Sequence, residues 1–282
     1  MKKFIHKFDN NKNDSSFTWK SDALKVGVDI LAEPLCDLLS SLIMHGHISS
    51  IFLICSLVPI VKDNNASKLS SKNYRLIAIT SLLLKLFDHI LLELSNPGLR
   101  PSHLQYGFQK GISTGLCTWT LIETVNYFRN RGSPMFLCLM DLCKAFDMVK
   151  LNILFRKLNN KVAPILIRFL IYSYINQKCH VAWRGVSSAS FNISNGVRQG
   201  AVASPVLFNV YINDLFGKLS ESGLGCKIDD LYFGAVGYAD DIGLLAPSRE
   251  ALQGMVNICE LFFKDHGIVI STGPDIAKDN SF

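Results

Sequence analysis

The sequence predicts an α+β fold, and three observations carry that expectation. Helical and strand-like patterns mix along the 282 residues without the βαβα repeat of a doubly wound sheet. A continuous apolar run, Met135-Phe-Leu-Cys-Leu-Met140, closes abruptly on Asp141. Such a run reads as a buried central strand that presents a carboxylate at its C-terminal end. Two more apolar runs, Leu231 to Gly237 and Ile242 to Ala246, flank Tyr238-Ala-Asp-Asp241, the pattern of a hairpin with acids in its turn.

The elements follow in order. Residues 1–20 are polar, with Asp9-Asn-Asn-Lys-Asn-Asp-Ser-Ser16 among them, and are expected to be a disordered tail. Ala32 to Leu42 has helical spacing. The stretch from Asp63 to Asn73 is a turn-rich loop between apolar segments. Ile77 to Leu92 is apolar and expected to be mostly helical. Asn96-Pro-Gly-Leu-Arg-Pro-Ser102 breaks the chain, and Ser113 to Arg129 starts another helix. Arg131-Gly-Ser-Pro134 turns into the strand ending at Asp141, and Lys150 to Lys157 is helical, with apolar positions at Leu151, Leu154, Phe155 and Leu158. Pro164 to Tyr174 is a helix; His180-Val-Ala-Trp183 and Ser190-Phe-Asn-Ile193 are a strand pair. Pro205 to Leu219 and Arg249 to His266 are helices on either side of the Asp-Asp hairpin. No internal repeat is visible.

Adjacent aspartates inside an apolar hairpin are costly unless each carboxylate finds a cation, a donor or water. A solvated turn alone would meet that need. Asp141 changes the balance, because a strand-end acid and two hairpin acids can meet at one sheet edge. Three carboxylates there make an oxygen-rich site suited to Mg²⁺. Two such ions, roughly 3.5–4 Å apart, could clamp the attacking and leaving oxygens of a phosphoryl transfer.

Six segments resemble those of one enzyme family, in the family's order. Met140-Asp-Leu-Cys-Lys-Ala-Phe-Asp-Met-Val149 resembles motif A of the reverse transcriptases of non-LTR (LINE-type) retrotransposons. Asn195-Gly-Val-Arg-Gln-Gly-Ala-Val-Ala-Ser-Pro205, continuing to Leu215, resembles motif B, and Tyr238-Ala-Asp-Asp241 motif C. Leu57-Val-Pro-Ile-Val-Lys62 and Asn73-Tyr-Arg-Leu-Ile-Ala-Ile-Thr-Ser81 resemble the fingers motifs, and Gln105-Tyr-Gly-Phe-Gln-Lys-Gly-Ile-Ser-Thr114 the segment that follows. The resemblance implies a right-hand polymerase: a palm with an antiparallel sheet and helices on one face, plus fingers, with the thumb missing. The implied division is a tail over 1–20, fingers over 21–112, palm over 113–150, a connection over 151–195 and palm again over 196–282.

The resemblance also implies roles. Asp141, Asp240 and Asp241 are the catalytic and metal-holding carboxylates, with the Leu142 carbonyl as a further ligand, for two Mg²⁺ ions or Mn²⁺ in their place. Lys62 and Arg75 reach the triphosphate, which a planar bidentate cation such as Arg75 suits well. Phe146 lies under the incoming sugar and excludes a 2′-hydroxyl. Gln199 and Gly200 form the loop against template base and nucleotide, glycine allowing close backbone approach. Tyr238 packs near the primer end. The implied partners are an RNA template, a DNA primer and dNTP. In motif D, Lys278 stands at the start while Asn280 occupies the following lysine position, a departure that points to a piece of a longer element. A silent nucleic-acid-binding remnant and an RNA-dependent RNA polymerase are the alternatives; Phe146 speaks against the latter.

Composition sets the outer bounds. A hydrophobic fraction of 49% supplies a substantial core, and a net charge of +6 is compatible with a polyanionic partner without identifying one. Eight scattered cysteines with no Cys-x-x-Cys pair argue against structural zinc and a secreted disulfide framework. No signal-peptide pattern follows Lys2-Lys3, and the apolar run from Ile51 to Val61 is too short to span a bilayer. The expectation is an intracellular protein (cytoplasm or nucleus) with no membrane partner. Gly111-Ile-Ser-Thr-Gly115 matches a hydrolase pattern, but no central strand precedes it. His45 and His47, two apart, lack a third ligand and read as surface residues.

Overall fold

The computed structural model of the chain describes residues 1–15 and 20–271, the side chain of Lys72 apart. Along the chain run α1 (Lys2–Ile5), α2 (Ser21–Val26), α3 (Val28–His45), β1 (Ile54–Val61), β2 (Tyr74–Ile79), α4 (Leu82–Ser95) and α5 (Thr114–Arg129). Then come β3 (Phe136–Cys143), α6 (Leu151–Leu158), α7 (Pro164–Ile175), β4 (Lys178–Trp183), β5 (Val186–Ser187), β6 (Phe191–Asn192) and α8 (Ser204–Glu221). The last part holds β7 (Lys227–Ile228), β8 (Leu231–Tyr232), β9 (Ala235–Tyr238), β10 (Asp241–Ala246), α9 (Arg249–His266) and β11 (Val269–Ile270). The fold is α+β, as expected.

Local chemistry sets the helix ends. Ser81, Ser113 and Ser248 cap α4, α5 and α9, each hydroxyl accepting a backbone N–H in the first turn. Gly46 and Gly267 close α3 and α9 in the left-handed region, at φ 67° and 69°, where a side chain is strained. Ser113 is therefore a helix cap, which accounts for the hydrolase-like pattern around it.

Two compact units share the chain. The first comprises residues 1–100 and 154–207, the second 101–153 and 208–282. The first unit holds a five-stranded sheet in the order β2-β1-β4-β5, with β6 also on β4. Its β1–β4 pair is parallel and the others antiparallel. The second unit holds a four-stranded antiparallel sheet, β11-β3-β10-β9, and the small β7-β8 ribbon.

Four expectations need correction. The polar tail is not disordered over its described part: α1 buries Phe4 and Ile5, and Phe8 follows. Phe4 and Phe8 pack on His89 of α4, and Ser15 is buried, so a few apolar anchors outweigh a polar composition. Residues 77–79 extend β2 rather than α4, because their backbone pairs with β1 in the register Val58↔Ile77, Ser56↔Ile79 and Ser81 restarts the chain as a helix. Strand β3 is central but not buried along its length: Leu139 is 68% and Leu137 46% exposed. Apolar continuity signals a strand, whereas burial depends on what packs against it. Helices, finally, flank both faces of the second sheet. A side chain at Gly243 would meet Leu121 of α5, and one at Gly237, on the opposite face, would meet Phe216 of α8.

Candidate active site

The acids come together at the end of the second unit's sheet. Hairpin β9–β10 pairs Tyr238 with Asp241, leaving Ala239 and Asp240 as its two-residue turn. Ala239 takes φ 59°, the positive value that tight two-residue turns demand and that a Cβ disfavours. On the other side of β10, Asp241 is in register with Asp141 of β3. Side chains of directly opposed residues lie on the same face, so these carboxylates are cross-strand neighbours. The Ser271 amide donates to the Asp141 carbonyl at 2.8 Å on the far edge of β3. Asp141 thus spends its backbone groups on β11, which makes Asp141–Asp241 the closer, non-hydrogen-bonded kind of pair, with Cα atoms roughly 4.5 Å apart. By the same alternation the Leu142 carbonyl points away from β11, toward the side of the Asp240 turn.

Electrostatics agrees with that proximity. Asp141 and Asp241 are exposed and Asp240 is partly so. The Asp241 carboxyl is pushed above its usual range by partial burial and then by the negative charges of Asp240 and Asp141. All three groups offer oxygen only, the donor chemistry of a hard divalent ion, and a cation there would relieve their repulsion. Among the described residues no group of three or more His, Cys, Asp or Glu side chains is arranged to hold a metal ion. The acids are gathered without forming a cage.

Phe146 follows β3 in a turn that Lys144 opens at φ 49°. Its ring is half-buried, stacked on Phe208 at 5.1 Å between centroids and edge-on to Phe108 at 5.8 Å. Tyr238 is partly buried. The second unit therefore holds Asp141, Leu142, Phe146, Tyr238, Asp240 and Asp241, with the three acids and Tyr238 gathered around the β9–β10 turn.

The first unit gathers the other four expected residues around β2. Arg75 is in register with Ile60, and the Lys62 amide bonds the Asn73 carbonyl at 2.8 Å. Strand alternation then puts the Lys62 and Arg75 side chains on one face of the β1–β2 hairpin; both residues are exposed. The Gln199 carbonyl accepts the Ala78 amide at 2.6 Å. Gly200 sits at φ 98°, and a Cβ there would come within 3.1 Å of Ile77, so the Gln199-Gly200 loop is held against β2 at Ile77 and Ala78. Lys278 and Asn280 lie outside the described residues.

Buried polar groups that sequence reasoning left without a role hold this loop. Arg198 is 6% exposed; its guanidinium donates to Gln177 at 2.6 Å and to the Ser173 carbonyl at 2.8 Å, and lies over the Tyr174 ring. Asp88, fully enclosed in α4, accepts the Ala203 amide at 3.2 Å. Burial raises its pKa to about 6, against the opposing pull of Arg198 and of backbone amides. The one sequence signal was an acid, Asp88, inside an apolar helix. His47 packs on Tyr172, and His45 ends α3.

Residues 61–273 match the family described as reverse transcriptase (RNA-dependent DNA polymerase). The chain is 26% identical over 238 residues to the Pol polyprotein of the type-1 retrotransposable element R2 of Nasonia vitripennis, covering 84% of this chain and 23% of that protein. It is 26% identical over 190 residues to the Pol polyprotein of element R2DM of Drosophila melanogaster, covering 66% and 18%. It thus spans about a fifth of the length of these relatives. Among solved structures, apo telomerase from Candida tropicalis truncated from its C-terminal domain superposes with a TM-score of 0.55 at 14% identity, over 84% of this chain and 53% of that one. Telomerase from Candida albicans, solved with a fragment of telomeric RNA, gives 0.53 at 14% identity, over 80% and 45%. At such identities the likeness is one of fold. With three quarters of its length matched by the family model and its acids gathered at one sheet end, the chain belongs to the reverse transcriptase family.

Proposed function

We propose that this chain is the polymerising part of a retrotransposon enzyme, an RNA-directed DNA polymerase that transfers nucleotides from dNTP to a primer 3′-hydroxyl on an RNA template, inside the cell. The observation that carries the reading is the Asp141–Asp241 register pair with Asp240 in the adjoining turn. In this reading the second unit is the palm and the first the fingers.

Asp141, Asp240 and Asp241 supply carboxylate oxygens for two Mg²⁺ ions, or Mn²⁺, and the Leu142 carbonyl supplies another. When bound, such ions would supply Lewis acidity toward the primer hydroxyl and positive charge against the departing pyrophosphate. Arg75 and Lys62, exposed and on one strand face, bind the triphosphate by charge-assisted hydrogen bonds. Gly200 lets the backbone approach the nucleotide closely, and the Phe146 ring, braced by Phe208, packs under the sugar. Tyr238 supports the primer end.

The test is Mg²⁺-dependent primer extension on an RNA template. Asp240→Asn removes charge at nearly constant shape, so extension disappears while RNA and primer binding persist. Full extension by that variant would refute the assignment. Binding without extension in the unmodified chain would instead favour a silent nucleic-acid-binding remnant.

A further inference from the structure

Gln105 lies far from the acids in sequence and against their turn in space. Residues 104–106 run beside β9 as a short parallel bridge. The Gly237 amide donates to the Leu104 carbonyl and the Tyr106 amide to the Gly237 carbonyl, both at 2.7 Å. That bridge aims the Gln105 side chain along β9 into the turn. Gln105 is 1% exposed, and its amide is almost fully used. Oε1 accepts the Ala239 amide at 2.9 Å and the Gly107 amide at 2.8 Å, while Nε2 donates to the Ala239 carbonyl at 3.1 Å. Two N–H donors on one side and a carbonyl on the other fix which end of the amide is oxygen.

The neighbourhood is shaped to this grip. A side chain on Gly107 would overlap the Ala239 backbone nitrogen, and one on Gly237 would overlap the Phe216 ring and crowd Gln105 Nε2 at 3.1 Å. The Asn209 side chain donates to the Gly107 carbonyl at 3.1 Å, holding the segment from the α8 side. What is gripped is the left-handed Ala239. A non-glycine residue there persists only where its surroundings over-determine it, and Asp240 is the next residue along the same peptide.

We infer that Gln105 is a positioning residue for Asp240: its side-chain amide clamps both backbone polar groups of Ala239 and so sets where the Asp240 carboxylate stands relative to Asp141 and Asp241. This rests on the reading of Asp240 as a catalytic carboxylate. Gln105 touches neither nucleotide nor metal; it acts through the turn.

The first measurement needs no variant. Hydrogen exchange on the unmodified chain should show the Ala239 amide protected despite its place in a hairpin turn, and fast exchange there would overturn the clamp. The second uses Mn²⁺ as the probe, with binding followed by paramagnetic resonance in the absence of nucleotide. Gln105→Met keeps side-chain length and removes all three hydrogen bonds. It should weaken Mn²⁺ binding by on the order of 10–100-fold, the usual effect of removing a group that orients a ligand. Gln105→Glu retains both accepted bonds, loses the donated one and serves where the first variant fails to fold. It should restore Ala239 protection while Mn²⁺ binding changes less than in Gln105→Met. Primer-extension bursts separate positioning from folding: a positioning role lowers the rate constant, a purely structural one lowers only the burst amplitude. Unchanged Mn²⁺ affinity and rate constant in folded Gln105→Met, with Asp240→Asn inactive, would sink the clamp and leave the polymerase reading intact. Asp240→Asn binding Mn²⁺ and extending primers normally would instead remove the reading on which it rests.

Discussion

Replacing Asp241 by Asn should stabilise the chain and disarm it at once. Asp241 faces Asp141 across a non-hydrogen-bonded pair and adjoins Asp240, so the substitution removes the middle of three like charges at nearly constant volume. Cross-strand pairs carry about 0.2–1 kcal/mol, and like charges directly opposed are destabilising. Because the site is exposed, solvent and salt hold the relief near the middle of that range, about 0.5 kcal/mol. In a chain of this size that raises Tm by about 1–2 °C. The pH dependence has a definite sign. Burial, then Asp240 and Asp141, raise the folded-state pKa of Asp241. Its contribution to stability is therefore present below the ordinary carboxylate value and lost as pH rises through the raised one. The advantage of Asp241→Asn is largest at neutral pH and shrinks toward about pH 4. The assay is a thermal melt in EDTA and again in Mg²⁺. At ten times its Kd, Mg²⁺ should add about 1.4 kcal/mol to the unmodified chain and much less to the variant, closing or reversing the gap. A variant that melts below the parent in EDTA, or gains as much from Mg²⁺, would show that the acids do not repel one another through a shared site.

Phe146→Val removes a ring stacked on Phe208 and edge-on to Phe108; stability should fall by about 1–3 kcal/mol in denaturant unfolding. If the ring gates the sugar, ribonucleotide incorporation rises markedly while deoxyribonucleotide incorporation falls modestly; unchanged sugar discrimination in a folded, active variant would refute the gate. Asp88, with a folded pKa near 6, should make the chain more stable as pH falls from 7 toward 4, by about 3 kcal/mol at most. Urea unfolding across that range should show a flatter profile for Asp88→Asn, whose amide oxygen still accepts the Ala203 amide; an unchanged profile refutes the assignment.

Much of this was written in local pattern. The serine before each of α4, α5 and α9 is a cap readable as such, and α9 spans the stretch its apolar spacing marks out. The meeting of the acids was legible because a two-residue hairpin turn has few geometries and Asp141, near the end of a central strand, stands in register with it. Partners distant in sequence were not legible. Gln105 is a neutral amide whose role is defined by a backbone 134 residues away, and no periodicity reports such a bond. Arg198 looks from sequence like any basic residue in a loop until Gln177 and Ser173 close around it. Phe4, Ile5 and Phe8 were outvoted by the asparagines and lysines around them, because composition averages over residues while packing depends on the few that anchor.

The register that opposes Asp141 to Asp241 spans 100 positions of sequence, and this has a consequence for synthesis. At roughly 5–20 residues per second, β3 leaves the ribosome about 5–20 s before β10 exists to pair with it. During that interval Phe136-Leu-Cys-Leu-Met140 is an uncharged, apolar, unpaired edge, the kind of segment that templates aggregation. The two units are interleaved in the chain, so neither can finish folding on an early, contiguous stretch. Asp141, two residues before the end of β3, is the first charge to interrupt that run.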